Sequence, residues 1–189
     1  MDKVIFLDRD GTLNLDNGYT YKIEDYKILP GVKKGLKKLQ DFGFKLMILT
    51  NQSGVARGMY SEEDLKKFMA HMIEDLKKSE IEILNFYYCP HYKEKGKGEY
   101  KIDCDCRKPK SGLVLKAIED YGPFDYEKSW SVGDSLRDVE STKNVNSKIR
   151  SVLLPKNAGT QSQKELCKSE EFEFKVKNFL EAVDIILNN

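Results

Sequence analysis

Four consecutive apolar residues, Val4-Ile5-Phe6-Leu7, stop abruptly at acidic residues, and such a run reads as a strand buried on both faces of a parallel sheet. The period then changes. Behind Pro30-Gly31, the residues Val32, Leu36, Leu39 and Phe42 recur at helical spacing, Gly43 closes the segment, and Phe44 to Leu49 forms a second apolar run. Ser61 precedes Leu65, Phe68, Met69, Met72, Ile73 and Leu76, the stripe of an amphipathic helix with a serine N-cap. Further strands are predicted at Ile83 to Tyr88, Ser129 to Gly133 and Ser151 to Leu154, and further helices at Ser111 to Tyr121 and from Leu136. Glu171 to Val176 alternates charged and apolar residues like an edge strand, and Phe179, Leu180, Val183, Ile186 and Leu187 form a last helical stripe. This alternation predicts an α/β fold, a Rossmann-like parallel sheet with helices on both faces. No repeat or interdomain linker interrupts it, so residues 1–189 are expected to form a single domain, with Lys156 to Ser169 as a polar loop.

Composition narrows the possible functions. Lysine plus arginine number 32 against 31 aspartate plus glutamate, a net charge of +1 that lacks the basic excess of nucleic-acid binding. No apolar run approaches the ~20 residues that span a bilayer, and Met1-Asp2-Lys3 does not begin a signal peptide, so no membrane partner and a cytoplasmic location are expected. Three of the four cysteines, Cys89, Cys104 and Cys106, and one of the two histidines, His91, fall in one lysine-rich loop without periodicity. Three thiolates and one imidazole make the closed tetrahedral set of a structural Zn²⁺ site, which would order the loop from 89 to 106. Cys167 stands apart and is expected to be a free thiol. Lys33, Lys34, Lys37 and Lys38 lie opposite an apolar stripe and read as a solvated helix face, and His71 is given no role.

In open α/β sheets ligands bind beyond the carboxyl ends of the strands, so the residues just after each apolar run carry the candidate chemistry. Asp8 and Asp10 are two apart, which on an extended backbone points both carboxylates the same way. Asp134, at a neighbouring strand end, makes a third. Crowded carboxylates repel unless a cation intervenes or one takes a proton, and an oxygen-only set suits Mg²⁺. Taken singly, Asp8 and Asp10 also read as an acidic turn, and Asp134 as a helix cap.

Phe6-Leu7-Asp8-Arg9-Asp10-Gly11-Thr12, the strand end at Thr50, Lys108 and Gly133-Asp134 resemble the four ordered motifs of the haloacid dehalogenase superfamily of phosphotransferases. Asp16-Asn17-Gly18-Tyr19, the stretch from Thr50 to Gly58, Tyr88-Cys89-Pro90-His91 and Cys104 to Pro109 are similar to the heptose bisphosphate phosphatases of its histidinol-phosphatase-related branch. The resemblance implies Mg²⁺-dependent phosphomonoester hydrolysis through an aspartyl-phosphate, acting on a small phosphorylated sugar at the 7-phosphate of a heptose 1,7-bisphosphate, in nucleotide-heptose biosynthesis. Histidinol phosphate is the alternative substrate. An alternative of another class is a catalytically silent, zinc-stabilised binding module.

By the same resemblance Asp8 is the nucleophile and Asp10 the general acid, whose backbone carbonyl also enters the metal shell, and Thr50 and Lys108 bind phosphoryl oxygens. Asp8, Asp10 and Asp134 would hold Mg²⁺. Asp16, Asn17, Gly18, Tyr19, Asn51, Gln52, Ser53 and Arg107 would contact substrate, with Arg107 suited to a second phosphate. The stretches after Asp10 and between Ser61 and Arg107 are too short for a large cap domain, and a monomer is expected. In one departure, Ser135 follows Asp134 where these phosphatases often carry lysine, with Arg137 two residues on. Asp138 either orients Lys108 or a metal-bound water, or simply occupies a first helical turn.

Overall fold

A computed structural model of the protein describes residues 1–158 and 174–189. Its centre is β1 (Val4–Leu7), flanked by β2 (Lys45–Asn51) and β3 (Ile83–Cys89) on one side and by β4 (Trp130–Gly133), β5 (Arg150–Leu153) and β6 (Phe174–Lys175) on the other. All five pairings are parallel, in the order β3-β2-β1-β4-β5-β6. The expected parallel sheet is therefore present, and the tail strand lies at its edge as predicted. Cys167, residues 159–169 of the polar loop and residues 171–173 of the predicted edge strand lie outside the described residues.

Side chains alternate between two cores, which is why the central strands read as unbroken apolar runs. Ile5, Leu7, Leu46 and Ile48 face a core shared with α1 (Val32–Asp41), α3 (Glu62–Lys77) and α6 (Phe179–Leu187). Val4, Phe6, Met47 and Leu49 face the opposite core, closed by Leu113, Val114 and Ala117 of α4 (Gly112–Tyr121). Each such side chain, fully buried, contributes about 1.5–3 kcal/mol. The start of α3 is fixed by a reciprocal cap. Ser61 Oγ accepts from the Asp64 amide at 3.1 Å while the Asp64 carboxylate accepts from the Ser61 amide at 2.9 Å.

Three details differ from the sequence reading. Phe42 ends its stripe outside the core, 54% exposed, because it caps α1 and lies beside Phe44 with Lys3 Nζ 4.3 Å from both rings. β3 is an edge strand, half-buried at several positions. A short helix, α2 (Ser53–Ala56), follows β2 directly; four residues are too few to show a period. The lysine face of α1 is solvated as expected, with Lys33 on Asp75 and Lys37 on Asp41, and His71 sits edge-on to Tyr26.

Candidate active site

Chain order reverses between β1, which continues to β2 and β3, and β4, which continues to α5 (Leu136–Lys143) and β5. A crevice opens at the carboxyl ends of strands at such a switch point. Asp8 follows β1 and Asp134 follows β4. Their carboxylates converge with that of Asp138, the three ligand oxygens lying within 4.8 Å of one another. Gly11 makes this approach possible: it sits at φ +80°, and a Cβ there would lie 2.1 Å from Asp134 Oδ2.

Lys108 is the counter-charge. Its Nζ donates to Asp8 Oδ1 at 2.8 Å and to the Leu49 carbonyl at 2.5 Å, and pairs with Asp138 Oδ1 at 2.7 Å, all fully buried. Burial alone would lower its proton affinity, but Asp138 and Asp8 outweigh it, so the ammonium is retained. Asn51 holds the loop that presents it, donating to the Lys108 carbonyl at 3.0 Å and accepting from the Lys108 amide at 3.0 Å.

Asp138 does two of the things left open by the sequence. It pairs with Lys108, and its other oxygen accepts from the Ser135 amide at 3.0 Å as a helix cap. The Asp8 carboxyl is pushed up by burial and then by Asp138, against the pull of Lys108. Asp134 is pushed up to about 8 by burial, then by Asp8 and Asp138, and it receives no hydrogen bond among the described residues. Three carboxylates facing one ammonium leave two negative charges uncompensated, which fits a hard divalent cation.

These shifts fix a sign. The Asp134 pKa of about 8 stands above the ~3.9 of an unfolded chain, so between those values the folded state holds the proton that the unfolded state has lost. The metal-free fold should therefore lose stability as pH rises from 5 to 8, and Mg²⁺ should raise the melting temperature more at pH 8 than at pH 6. Thermal denaturation with and without Mg²⁺ measures this; an equal gain at both pH values would contradict it.

The expected pairing of the Asp8 and Asp10 carboxylates is corrected. Asp10 leaves the strand geometry and its carboxylate turns to other partners: Arg9 Nη2 at 2.7 Å, Asn14 Nδ2 at 3.1 Å and Gln52 Nε2 at 2.8 Å. It is absent from the converging carboxylates, and a contribution from Asp10 to a metal would have to come from its backbone. Arg9, fully buried in a motif otherwise read for its acids, accounts for this. Its guanidinium forks Asp10, donates to the Thr20 carbonyl at 2.7 Å and lies 4.7 Å from the Phe68 ring.

Beside the cluster is a cleft of about 170 Å³ lined by Asp10, Asp16, Gly18, Tyr19, Asn51, Gln52, Ser53, Tyr60, Arg107 and Arg137. Most predicted substrate contacts meet here. Asn17, in the same turn, does not line it. Asp16 closes that turn by accepting from the Gly18 amide at 2.8 Å. Gln52 lines the cleft, but both hydrogens of its amide are committed, to Asp10 and to Thr50 Oγ1 at 2.7 Å, so its side chain has no donor left for substrate. Among the described residues no acceptor takes the hydroxyl hydrogen of Thr50 itself.

Cys89, His91, Cys104 and Cys106 also come together, within 4.8 Å. Sγ of Cys104 is 3.5 Å from Cys89 and 3.4 Å from Cys106, and His91 Nδ1 is 3.3 Å from Cys106 Sγ and 3.9 Å from Cys89 Sγ. Edges of ~3.8 Å belong to a tetrahedron with 2.3 Å zinc–sulfur bonds, so the donor set fits Zn²⁺. Arg107 follows directly, donating to the His91 carbonyl at 3.3 Å with its guanidinium 4.7 Å from the Tyr92 ring. Arg57 lies against the same ring at 4.7 Å. Sequence reasoning missed Arg57, Tyr60 and Tyr92. Tyr60 stands immediately before an N-cap, where an aromatic reads as helix-start packing.

The chain matches the protein-family model described as Polynucleotide kinase 3 phosphatase over residues 3–148. It is 47% identical over 141 residues to a D-glycero-beta-D-manno-heptose-1,7-bisphosphate 7-phosphatase of Haemophilus influenzae, covering 75% of this chain and 76% of the relative. It is 39% identical over 147 residues to the protein of the same name from Escherichia coli K12, covering 77% and 76%. Among solved structures, the D,D-heptose 1,7-bisphosphate phosphatase of B. bronchiseptica, complexed with magnesium and phosphate, is similar with a TM-score of 0.80 at 26% identity over 98% of each chain. That from Burkholderia thailandensis has a TM-score of 0.67 at 19% identity over 100% of each chain, a likeness of fold alone.

Proposed function

Because the chain belongs to the D-glycero-beta-D-manno-heptose-1,7-bisphosphate 7-phosphatase family of haloacid dehalogenase-like phosphatases, we propose that Asp8 carries out the reaction of that family here, removing the 7-phosphate through an aspartyl-phosphate. The observation that carries the residue assignment is the convergence of the Asp8, Asp134 and Asp138 carboxylates at the switch point of the sheet, with Lys108 paired to Asp8 and Asp138. Lys108 holds the Asp8 carboxylate in place as attacking group and offers positive charge to the equatorial oxygens of the phosphoryl group. Thr50 donates its hydroxyl hydrogen to the same oxygens. Asp10, at the cleft edge, passes a proton to the departing sugar oxygen and then takes one from the water that attacks the acyl phosphate. Splitting hydrolysis in this way replaces one difficult displacement by two easier ones.

Asp8, Asp134 and the Asp10 backbone carbonyl would hold Mg²⁺, the metal in the B. bronchiseptica relative, which supplies Lewis-acid polarisation of the phosphoryl group and offsets its repulsion from the acids. Cys89, His91, Cys104 and Cys106 would hold Zn²⁺ in a structural role, leaving no position for substrate. Asp16, Gly18, Tyr19, Asn51, Ser53 and Arg107 form the sugar cleft. Arg107, the guanidinium on the zinc loop, takes the phosphate that is retained. No helix among the described residues is long and apolar enough to cross a membrane.

A substrate panel tests the reading. With Mg²⁺, the β anomer of heptose 1,7-bisphosphate should be turned over with kcat/KM at least about tenfold above heptose 7-phosphate and histidinol phosphate, as charge-assisted hydrogen bonds worth ~1.5–3 kcal/mol predict. Arg107→Ala should erase the preference for the bisphosphate over the monophosphate while leaving monophosphate turnover unchanged. Preference for histidinol phosphate would replace the substrate, and absence of hydrolysis of all three would favour the silent module.

A further inference from the structure

Tyr60 lines the cleft without an assigned part in the reaction, and its hydroxyl reaches the reacting groups through one residue. Its hydroxyl donates to Gln52 Oε1 at 2.6 Å, and the amide of Gln52 then donates on its other side to Asp10 Oδ2 at 2.8 Å and Thr50 Oγ1 at 2.7 Å. Tyr60 is 7% exposed and Gln52 is 2% exposed, so solvent does not share these bonds. We propose that Tyr60 and Gln52 are positioning residues that fix the carboxyl of Asp10 for proton transfer, an inference that rests on the reading of Asp10 as general acid.

The order of donors leaves one arrangement. Oδ2 of Asp10 accepts in this contact, so the NH₂ of Gln52 faces it, and the Gln52 carbonyl faces Tyr60, which supplies the hydrogen that carbonyl receives among the described residues. Burial also holds the Tyr60 hydroxyl protonated, as a donor must be. Turning the amide over would set Oε1 against the Asp10 carboxylate and leave the NH₂ against a hydroxyl that has lost its acceptor. The amide is therefore locked by the phenol. Asp10 is held from both sides, by Arg9 on Oδ1 and Oδ2 and by Gln52 on Oδ2, and this defines the plane of its carboxyl at the cleft edge.

The seat of the tyrosine is built for this contact. Its ring stacks on Tyr21 with centroids 4.6 Å apart at 19°, and lies so close to α2 that a Cβ on Gly54 would stand 2.1 Å from Tyr60 Cε1. A glycine at position 54 lets the hydroxyl reach Gln52. The phenylalanine variant keeps the ring and its stacking and deletes only the hydroxyl.

The test separates proton transfer from the rest of the reaction by the leaving group. A sugar alkoxide needs a proton to depart, whereas p-nitrophenolate leaves without one. With Mg²⁺, purified Tyr60→Phe should lose at least about tenfold in kcat/KM on the sugar bisphosphate, part of the 10²–10⁴ that a general acid supplies. On p-nitrophenyl phosphate its kcat/KM should stay within about twofold of wild type, because that ratio ends at formation of the aspartyl-phosphate and leaves out the later step in which Asp10 takes a proton from water. Gln52→Leu should lose at least as much on the sugar bisphosphate and part of that on p-nitrophenyl phosphate too, because its amide also holds Thr50 Oγ1, and the double variant should lose no more than the larger single loss, as expected of residues in one chain of contacts. Asp10→Asn, measured alongside, separates the two levels. If it shows no dependence on leaving group, the general-acid reading fails; if it does and Tyr60→Phe loses equally on both substrates, or on neither, the positioning proposal is overturned.

Discussion

Asp8→Asn should lower turnover by at least about a thousandfold, ~4 kcal/mol of barrier, while leaving the protein folded. An amide carries no charge with which to attack phosphorus, and the neighbouring acids are committed elsewhere: Asp138 to Lys108 and the Ser135 amide, Asp10 to Arg9, Asn14 and Gln52, and Asp134 to the proposed metal. The fold should tolerate the change because it relieves repulsion. Burial and the neighbouring Asp138 already push the Asp8 carboxyl up, and Lys108 would keep Asp138 and the Leu49 carbonyl as partners. At pH 8 without metal, the variant should melt no lower than wild type. Residual turnover above about a thousandth would argue against attack by Asp8, and loss of the folded state would assign it a structural role.

Cys104→Ser should reduce bound zinc well below one ion per chain and lower the melting temperature, since structural zinc is worth ~10–16 kcal/mol apparent in small peptides and the 89–106 loop has few apolar anchors. Its catalytic consequence should be graded. Lys108 retains Asn51, Asp8 and Asp138, whereas Arg107 is held by the His91 carbonyl and the Tyr92 ring, both within the metal loop. Preference for the bisphosphate should thus fall further than turnover of p-nitrophenyl phosphate. The loop keeps attachments independent of zinc: the Glu62 carboxylate accepts from the hydroxyls of Tyr100 and of Tyr88 just before the loop, and the Lys97 amide donates to the Ala56 carbonyl at 2.8 Å. Full zinc content in this variant would refute the proposed ligand set.

Much of this was legible in the chain because the strands end where the chemistry begins. Val4 to Leu7 places Asp8 at the sheet's switch point, and Ser129 to Gly133 does the same for Asp134, so apolar runs located both acids. The cysteines and His91 were legible by density alone. What could not be read is how side chains choose partners. Asp8 and Asp10 share a spacing that on an ideal strand aligns them, but Gly11 turns the backbone and buried Arg9 captures Asp10, so Asp138 takes its place in the cluster. Gln52 carries the same difficulty. Its position beside the cleft is visible in the motif, while the commitment of its amide to Asp10, Thr50 and Tyr60 depends on contacts eight and forty-two residues away. Arg57 and Arg107, set on one tyrosine ring, come from segments fifty residues apart that meet only in the fold.

The central claim is that one oxygen of Asp8 bonds to phosphorus, and trapping that bond tests it most directly. Enzyme turning over the sugar bisphosphate with Mg²⁺ would be quenched into borohydride, which reduces an acyl phosphate to an alcohol and leaves free carboxylates untouched, and its peptides then weighed. Homoserine at position 8, and at no other aspartate, is the expected product. An intact Asp8 in a turning-over sample, or reduction at Asp134 or Asp10 instead, would contradict the account.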